Sequence, residues 1–473
     1  MKSISFNINS LCLKIILAFT GVIASSASAN ALTFNFNYAQ GTTLEQMVGF
    51  EMAGGIWSSH LSDNASVNIY VEMTNDLPTN VIGGALPGIE ANQTYTNWRN
   101  NLQADRKSAD DNSVFNNLQD EVDKFTAYID GFKVDNNEEL NMTRANAKAL
   151  GMLNGNNNAL DGYILMSNLS SLPVSWNYDF LNNTVPNNKL DFLSVGVHEV
   201  GHILGFVSGI DRPGWLSQKT QYNQNNIDDF YSSLTGTLNN VTPLDMFRYS
   251  QQSIAAGGLS EHWLDLSIGG NPYFSVDGGQ TSLAYFATGE NTSLGGDGEQ
   301  ASHWKQESNV LGIMDPLLNV GQRRSITTID RRAMDAIGWD LGQGNINYTT
   351  LHGQAKERLA QRIGKTVAWL DANPIEAAQL LSQNRDQDVA TMIDQSQIYE
   401  WGPVTCTLGL PGCWRQEGFW QNYSLQTLDT QGKAAKTPEP SSFIGLFGLV
   451  GLGLVSRKKL SRPKQSNNIN SLN

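Results

Sequence analysis

Val197-His198-Glu199-Val200-Gly201-His202-Ile203-Leu204-Gly205-Phe206 organises the reading of this 473-residue chain. Leu193, Val197, Val200, Leu204 and Val207 recur at spacings of 4, 3, 4 and 3, the period of a helix with one apolar face. The pattern predicts a helix over Leu190 to Val207, and Gly205 offers it a place to stop. His198 and His202 stand four apart on that helix, so their imidazoles share a face and can hold one zinc ion. Glu199, beside the first of them, is placed to take a proton from a water on that metal.

Both ends of the chain read as sorting segments. Lys2 and Lys14 flank and precede a short apolar core, Ile15 to Ala24, and small residues follow at Ala27-Ser28-Ala29 and Ala29-Asn30-Ala31. This is the order of a secretory signal over residues 1–31, too short in its apolar part to be a good membrane span. At the other end Thr437-Pro438-Glu439-Pro440 precedes the apolar, Gly-rich stretch Ser441 to Val455, which Arg457-Lys458-Lys459 closes. An apolar run held by a basic cluster is a marginal membrane span with its positive side towards the cytoplasm. That order resembles the PEP-CTERM sorting tail of bacterial envelope proteins, here over 437–460, with 461–473 as a basic and polar tail. The resemblance implies a sorting enzyme of the inner membrane as a partner and transient anchoring there. Export to the periplasm, cell surface or medium follows.

The chain carries a net charge of −14, and −21 without the seven basic residues of these two ends. Such acidity disfavours nucleic acid or an anionic membrane surface as a partner. Of the three cysteines, Cys12 lies in the signal, while Cys406 and Cys413 flank a six-residue Gly/Pro loop and are expected to form a disulfide in an exported protein.

The mature length exceeds one ordinary core, and predicts a catalytic unit over 32–340 followed by a smaller, mainly helical region over 341–436. Helical patterns cover Thr43 to Leu61, Ile326 to Ile337 (capped by Ser325 or Thr327 and ended by Gly338), Gln354 to Leu370 and Ile375 to Met392. Ala65 to Glu72 and Leu160 to Met166 read as strands. Ala91 to Phe132 reads as polar and mostly helical, amphipathic from Val114 to Phe132. Residues 215–300 read as irregular, within an insertion spanning about 210–300. His60 is most simply a surface residue.

Two histidines do not complete a catalytic zinc site, which takes three protein ligands and a water. In the compact extension of the motif the third ligand falls on Ser208, a poor ligand. Asp211 lies at the wrong spacing for that pattern. After Glu199 the next glutamate is Glu261, which disfavours a ligand from a nearby downstream helix. His262 and His303 both have suitable local chemistry. Beyond His303, Leu311-Gly312-Ile313-Met314-Asp315-Pro316 reads as a tight turn that sets a thioether against the site.

With these residues in place the chain resembles the leishmanolysin-like branch of the metzincin zinc proteases over roughly 45–340. That family has the His-Glu-x-x-His-x-x-Gly-Phe start, an insertion, then a third histidine followed at a short distance by a methionine turn. The resemblance selects His303, eleven residues before Met314, over the distant His262. It implies an α+β fold of two subdomains: a twisted mixed sheet with the active-site helix, then a lower part with the methionine turn and a closing helix at Ile329 to Trp339. The chain lacks the family's many cysteines, and Asp315 follows its methionine. The strand Leu160 to Met166 resembles the edge strand that pairs with an extended substrate.

The expected function is that of an exported zinc endopeptidase acting on protein or peptide substrates. One Zn2+ is held by His198, His202 and His303, and Glu199 is the general base. The rival expectations are a non-peptidase zinc hydrolase on the same ligands and an envelope or matrix protein with this fold and no catalysis.

Overall fold

The computed structural model describes residues 32–75, 77, 80–119, 121–211, 236, 238, 241–384, 388–389, 421–425, 427–428 and 434–435. The expected signal segment 1–31, the expected Cys406–Cys413 disulfide loop and the apolar stretch Ser441 to Val455 lie outside them. Among the described residues no helix is long and apolar enough to cross a membrane.

The fold is α+β, with one large mixed sheet and several small ones. The large sheet holds β1 (Thr33–Ala39), β2 (Ser66–Thr74), β3 (Val81–Pro87), β4 (Gly162–Ser167), β5 (Leu317–Leu318), β6 (Ser382–Gln383) and β7 (Gln421–Leu425). Their order across it is β5-β7-β3-β4-β2-β1-β6. β6, β1, β2 and β4 run parallel, while β3 is antiparallel to β4 and to β7. Because successive side chains on a strand point to opposite faces, Ile69, Val71, Ile164 and Met166 enter the main core. Tyr70, Tyr163 and Leu165 form a smaller cluster on the other face.

Helix α1 (Leu44–His60) and helix α2 (Phe192–Leu204) pack on the main-core side. A capping box starts α1: Gln46 N–H donates to Thr43 Oγ1 at 3.4 Å and Thr43 N–H to Gln46 Oε1 at 2.8 Å. The two helices come close where a glycine leaves room. A Cβ on Gly49 would stand 2.7 Å from the Phe192 ring, so an alanine there would drive the helices apart. Trp57 Nε1 donates to the Val197 carbonyl at 2.8 Å and fixes their alignment. Helix α3 (Thr328–Ala336) follows the methionine turn. Helix α4 (Tyr348–Arg362) lies against α1, with Arg358 Nε donating to Glu51 Oε2 at 2.8 Å. Leu351, Leu359, Leu370 and Leu381 of residues 341–381 belong to the main core.

Four expectations are corrected. Leu160 to Met166 is not an edge strand, since β4 has β2 on one side and β3 on the other. Its unbroken run Tyr163-Ile164-Leu165-Met166 is buried throughout, as suits a strand covered on both faces. Val114 to Phe132 is not one amphipathic helix, because Phe125–Ile129 and Phe132–Asn137 form a β-hairpin. Asp130-Gly131, both at positive φ, make its turn, and this dipeptide is a strong hairpin signal. Within 215–300, Gln251–Glu261 is a helix capped by Ser250, despite two internal glycines. His60 is buried at the end of α1, not on the surface.

Candidate metal centre

Helix α2 carries the motif and begins two residues later than its periodicity alone implies. Asp191 is its N-cap, accepting from Ser194 N–H at 3.1 Å, and Arg323 Nη2 holds the other carboxylate oxygen at 2.8 Å. Gly205, at φ 123°, ends the helix, a backbone conformation that favours glycine.

His198, His202 and His303 come together. One ligand atom from each lies within 4.8 Å of the others, and all three rings are almost fully buried. The Nε2 atoms face each other, His202 to His198 at 3.0 Å and His303 to His198 at 3.3 Å. Each Nδ1 meets a backbone carbonyl: Ile313 for His198 at 2.7 Å, Phe206 for His202 at 2.7 Å and Gln300 for His303 at 3.1 Å. A carbonyl only accepts, so each Nδ1 carries a proton, and a neutral ring then presents a lone pair at Nε2. Burial, followed by the neighbouring imidazoles, holds His198 and His202 well below the ordinary histidine range and keeps them neutral.

Three lone pairs turned towards one another repel unless a cation lies among them. Nitrogens about 2.1 Å from one tetrahedral zinc stand ~3.4 Å apart, close to the separations seen. The residues present therefore fit a zinc ion, and the outer hydrogen bonds are those that fix the tautomer of a metal-binding histidine.

Glu199 is fully buried, with no hydrogen-bond partner on either carboxylate oxygen. Burial raises its pKa well above the usual carboxylate range, and a cation at the imidazoles would act in the opposite direction. Its neighbour is β3. A Cβ on Gly83 would lie 2.6 Å from Glu199 Oε1 and 2.7 Å from Val195 Cγ1.

The third histidine is delivered by a separate part of the chain, and three polar clamps hold it there. Ser208, where a compact motif would have its ligand, donates from its N–H to Ser302 Oγ at 2.8 Å and from its hydroxyl to Asp245 at 2.5 Å. Trp304 N–H donates to the Met314 carbonyl at 3.0 Å. Asp330, on α3, accepts from Trp304 Nε1 at 2.8 Å, Ile313 N–H at 2.9 Å and Thr327 N–H at 2.7 Å. Met314 itself sits under α2, where a Cβ on Gly201 would be 2.6 Å from its Sδ. Asp315 closes the turn by accepting from Leu311 and Gly312 N–H.

The competing ligands lie elsewhere. His262 caps the helix Gln251–Glu261 in a left-handed conformation with Nδ1 on the Gly278 carbonyl at 2.9 Å. Asp211 accepts from Glu290 and Ala301 N–H, bracing the loop before His303. The sequence gives no direct sign of Gly83, Asp245 or Asp330 as parts of the site. A serine in the ligand position is the one signal that points towards such a clamp.

Residues 436–459 match the PEP-CTERM protein-sorting motif. The motif indicates export to the cell envelope or surface and recognition by a C-terminal sorting system. No curated protein and no solved structure matches the chain.

Proposed function

We propose that this protein is an exported zinc-dependent endopeptidase of metzincin-like, two-part architecture. The observation that carries this reading is the convergence of three buried imidazole Nε2 atoms beside a buried glutamate without a hydrogen-bond partner. The upper part is the large sheet with α2. The lower part is the segment from His303 through Met314 to α3, as in the leishmanolysin-like proteases that the motifs resemble.

His198, His202 and His303 would hold the ion, and a bound zinc supplies Lewis acidity, polarising a carbonyl and acidifying water. The chain's own residues do the rest. The carbonyls of Ile313, Phe206 and Gln300 keep the imidazoles in the ligating tautomer. Glu199 takes a proton from the attacking water and passes it to the leaving amine. Burial around it excludes bulk water and strengthens each of these interactions.

Casein or gelatin cleavage by the purified protein tests this. Glu199→Gln is expected to lower cleavage roughly 10²–10⁴-fold with zinc content unchanged. Zinc binding without cleavage, both in the wild-type chain and in a chain whose strand Gln421–Leu425 is disrupted, would favour an envelope protein without catalysis.

A further inference from the structure

β3 is the last strand of the sheet contributed by the N-terminal half, so its outer edge would present unpaired backbone N–H and C=O groups. That edge is covered by β7, a strand from near the other end of the chain. Gln421, Asn422 and Tyr423 pair antiparallel with Ala85, Gly84 and Gly83. On its other side β7 runs parallel to β5, with Ser424 opposite Leu317 and Leu425 opposite Leu318. β5 begins three residues beyond Met314. The strand therefore bridges the two parts of the divided site, and Tyr423 pairs with Gly83, where an added Cβ would meet Glu199 Oε1 at 2.6 Å.

This is where an extended peptide would lie to be cut. Backbone pairing to β3 would hold it, and glycines at 83 and 84 leave no β3 side chain to obstruct it there. Being tethered, β7 competes for that edge at a high effective concentration.

We propose that Gln421–Leu425 occupies the substrate's place on β3, so that the full chain is closed by its own C-terminal strand. The inference rests on the zinc-endopeptidase reading and names its substrates as extended peptides bound chiefly through their backbone. The occupant lies eleven residues before the sorting motif, on the segment that joins it to the folded body.

The test uses the full chain and a variant with Asn422→Pro and Tyr423→Pro, since proline removes the N–H and is excluded from a central strand. Hydrogen exchange is read at Val81–Ala85, and binding of a fluorescent peptide of residues 419–427 is followed by anisotropy. The wild-type chain is expected to protect the outward amides of β3 and to bind the peptide poorly. In the proline variant those amides should exchange, and the peptide should bind, about tenfold or more better, with casein cleavage rising in parallel. Free-edge exchange of β3 in the wild-type chain would overturn the proposal without any variant. Equal exchange and equal peptide affinity in the two proteins would overturn it as well. If exchange and binding change but neither protein cleaves casein, the occupancy stands and the peptidase reading falls.

Discussion

Gly83 and Glu199 touch across the boundary between sheet and motif helix: a Cβ added to Gly83 would lie 2.6 Å from Glu199 Oε1. The glycine leaves room for the carboxylate, and the backbone of β3 forms one wall of its site. Gly83→Ala is expected to displace the carboxylate and lower kcat about 10–10²-fold, with zinc content and folding retained. Steady-state kinetics beside metal analysis checks this. An unchanged kcat would mean that Glu199 has room to spare.

Asp330 joins Trp304, the residue after His303, to the methionine turn. Both its oxygens accept from N–H groups, so Asp330→Asn sets an amide NH2 against donors. A loss of about 2–4 kcal/mol is expected in chemical denaturation, the range for a broken buried polar network. Zinc affinity should fall with it, because the Ile313 carbonyl holds His198. Unchanged stability would show that the network relaxes freely.

Much of this site is legible in the amino-acid sequence, for identifiable reasons. Helix α2 follows from a 3.6-residue apolar period and Gly205, both local signals. His303 is 105 residues from His198, and only the turn at Met314 points to it. β3 is invisible in sequence because Val81-Ile82-Gly83-Gly84-Ala85-Leu86-Pro87 carries two glycines and a proline, which read as a loop; its pairing with β4 and β7 overrides that propensity. Asp245 and Asp330 look like ordinary surface acids in sequence. Their importance comes from N–H groups that chain segments far apart bring to them.

Asp63 makes stability depend on pH. Burial, with Asp340 and Asp105 adding to it, raises its pKa to about 8. A carboxyl raised in the folded state stabilises fully below the unfolded value, near 4, and that contribution is lost as pH rises towards 8. Asp63→Asn keeps an oxygen for the Asp340 N–H and cannot ionise. Its Tm is expected to exceed that of the wild-type chain by at least ~2 °C at pH 8.5 and to approach it at pH 5. Parallel Tm curves for the two proteins would contradict this.

Removing metal should destabilise the fold, because the Nε2 atoms of His202 and His303 then face that of His198 at 3.0 and 3.3 Å with no cation between them. Where zinc stands 100-fold above its Kd, chelation is expected to remove about 2.7 kcal/mol. Thermal scans with and without a chelator measure this. An identical Tm in both would place no bound cation among the histidines.

The proposed divided zinc site is tested most directly by metal analysis of three purified proteins: the wild-type chain, His303→Ala and His262→Ala. One zinc per chain is expected in the wild type and in His262→Ala, and loss of the ion in His303→Ala. Loss of zinc in His262→Ala alone, with His303→Ala fully loaded, would contradict the account.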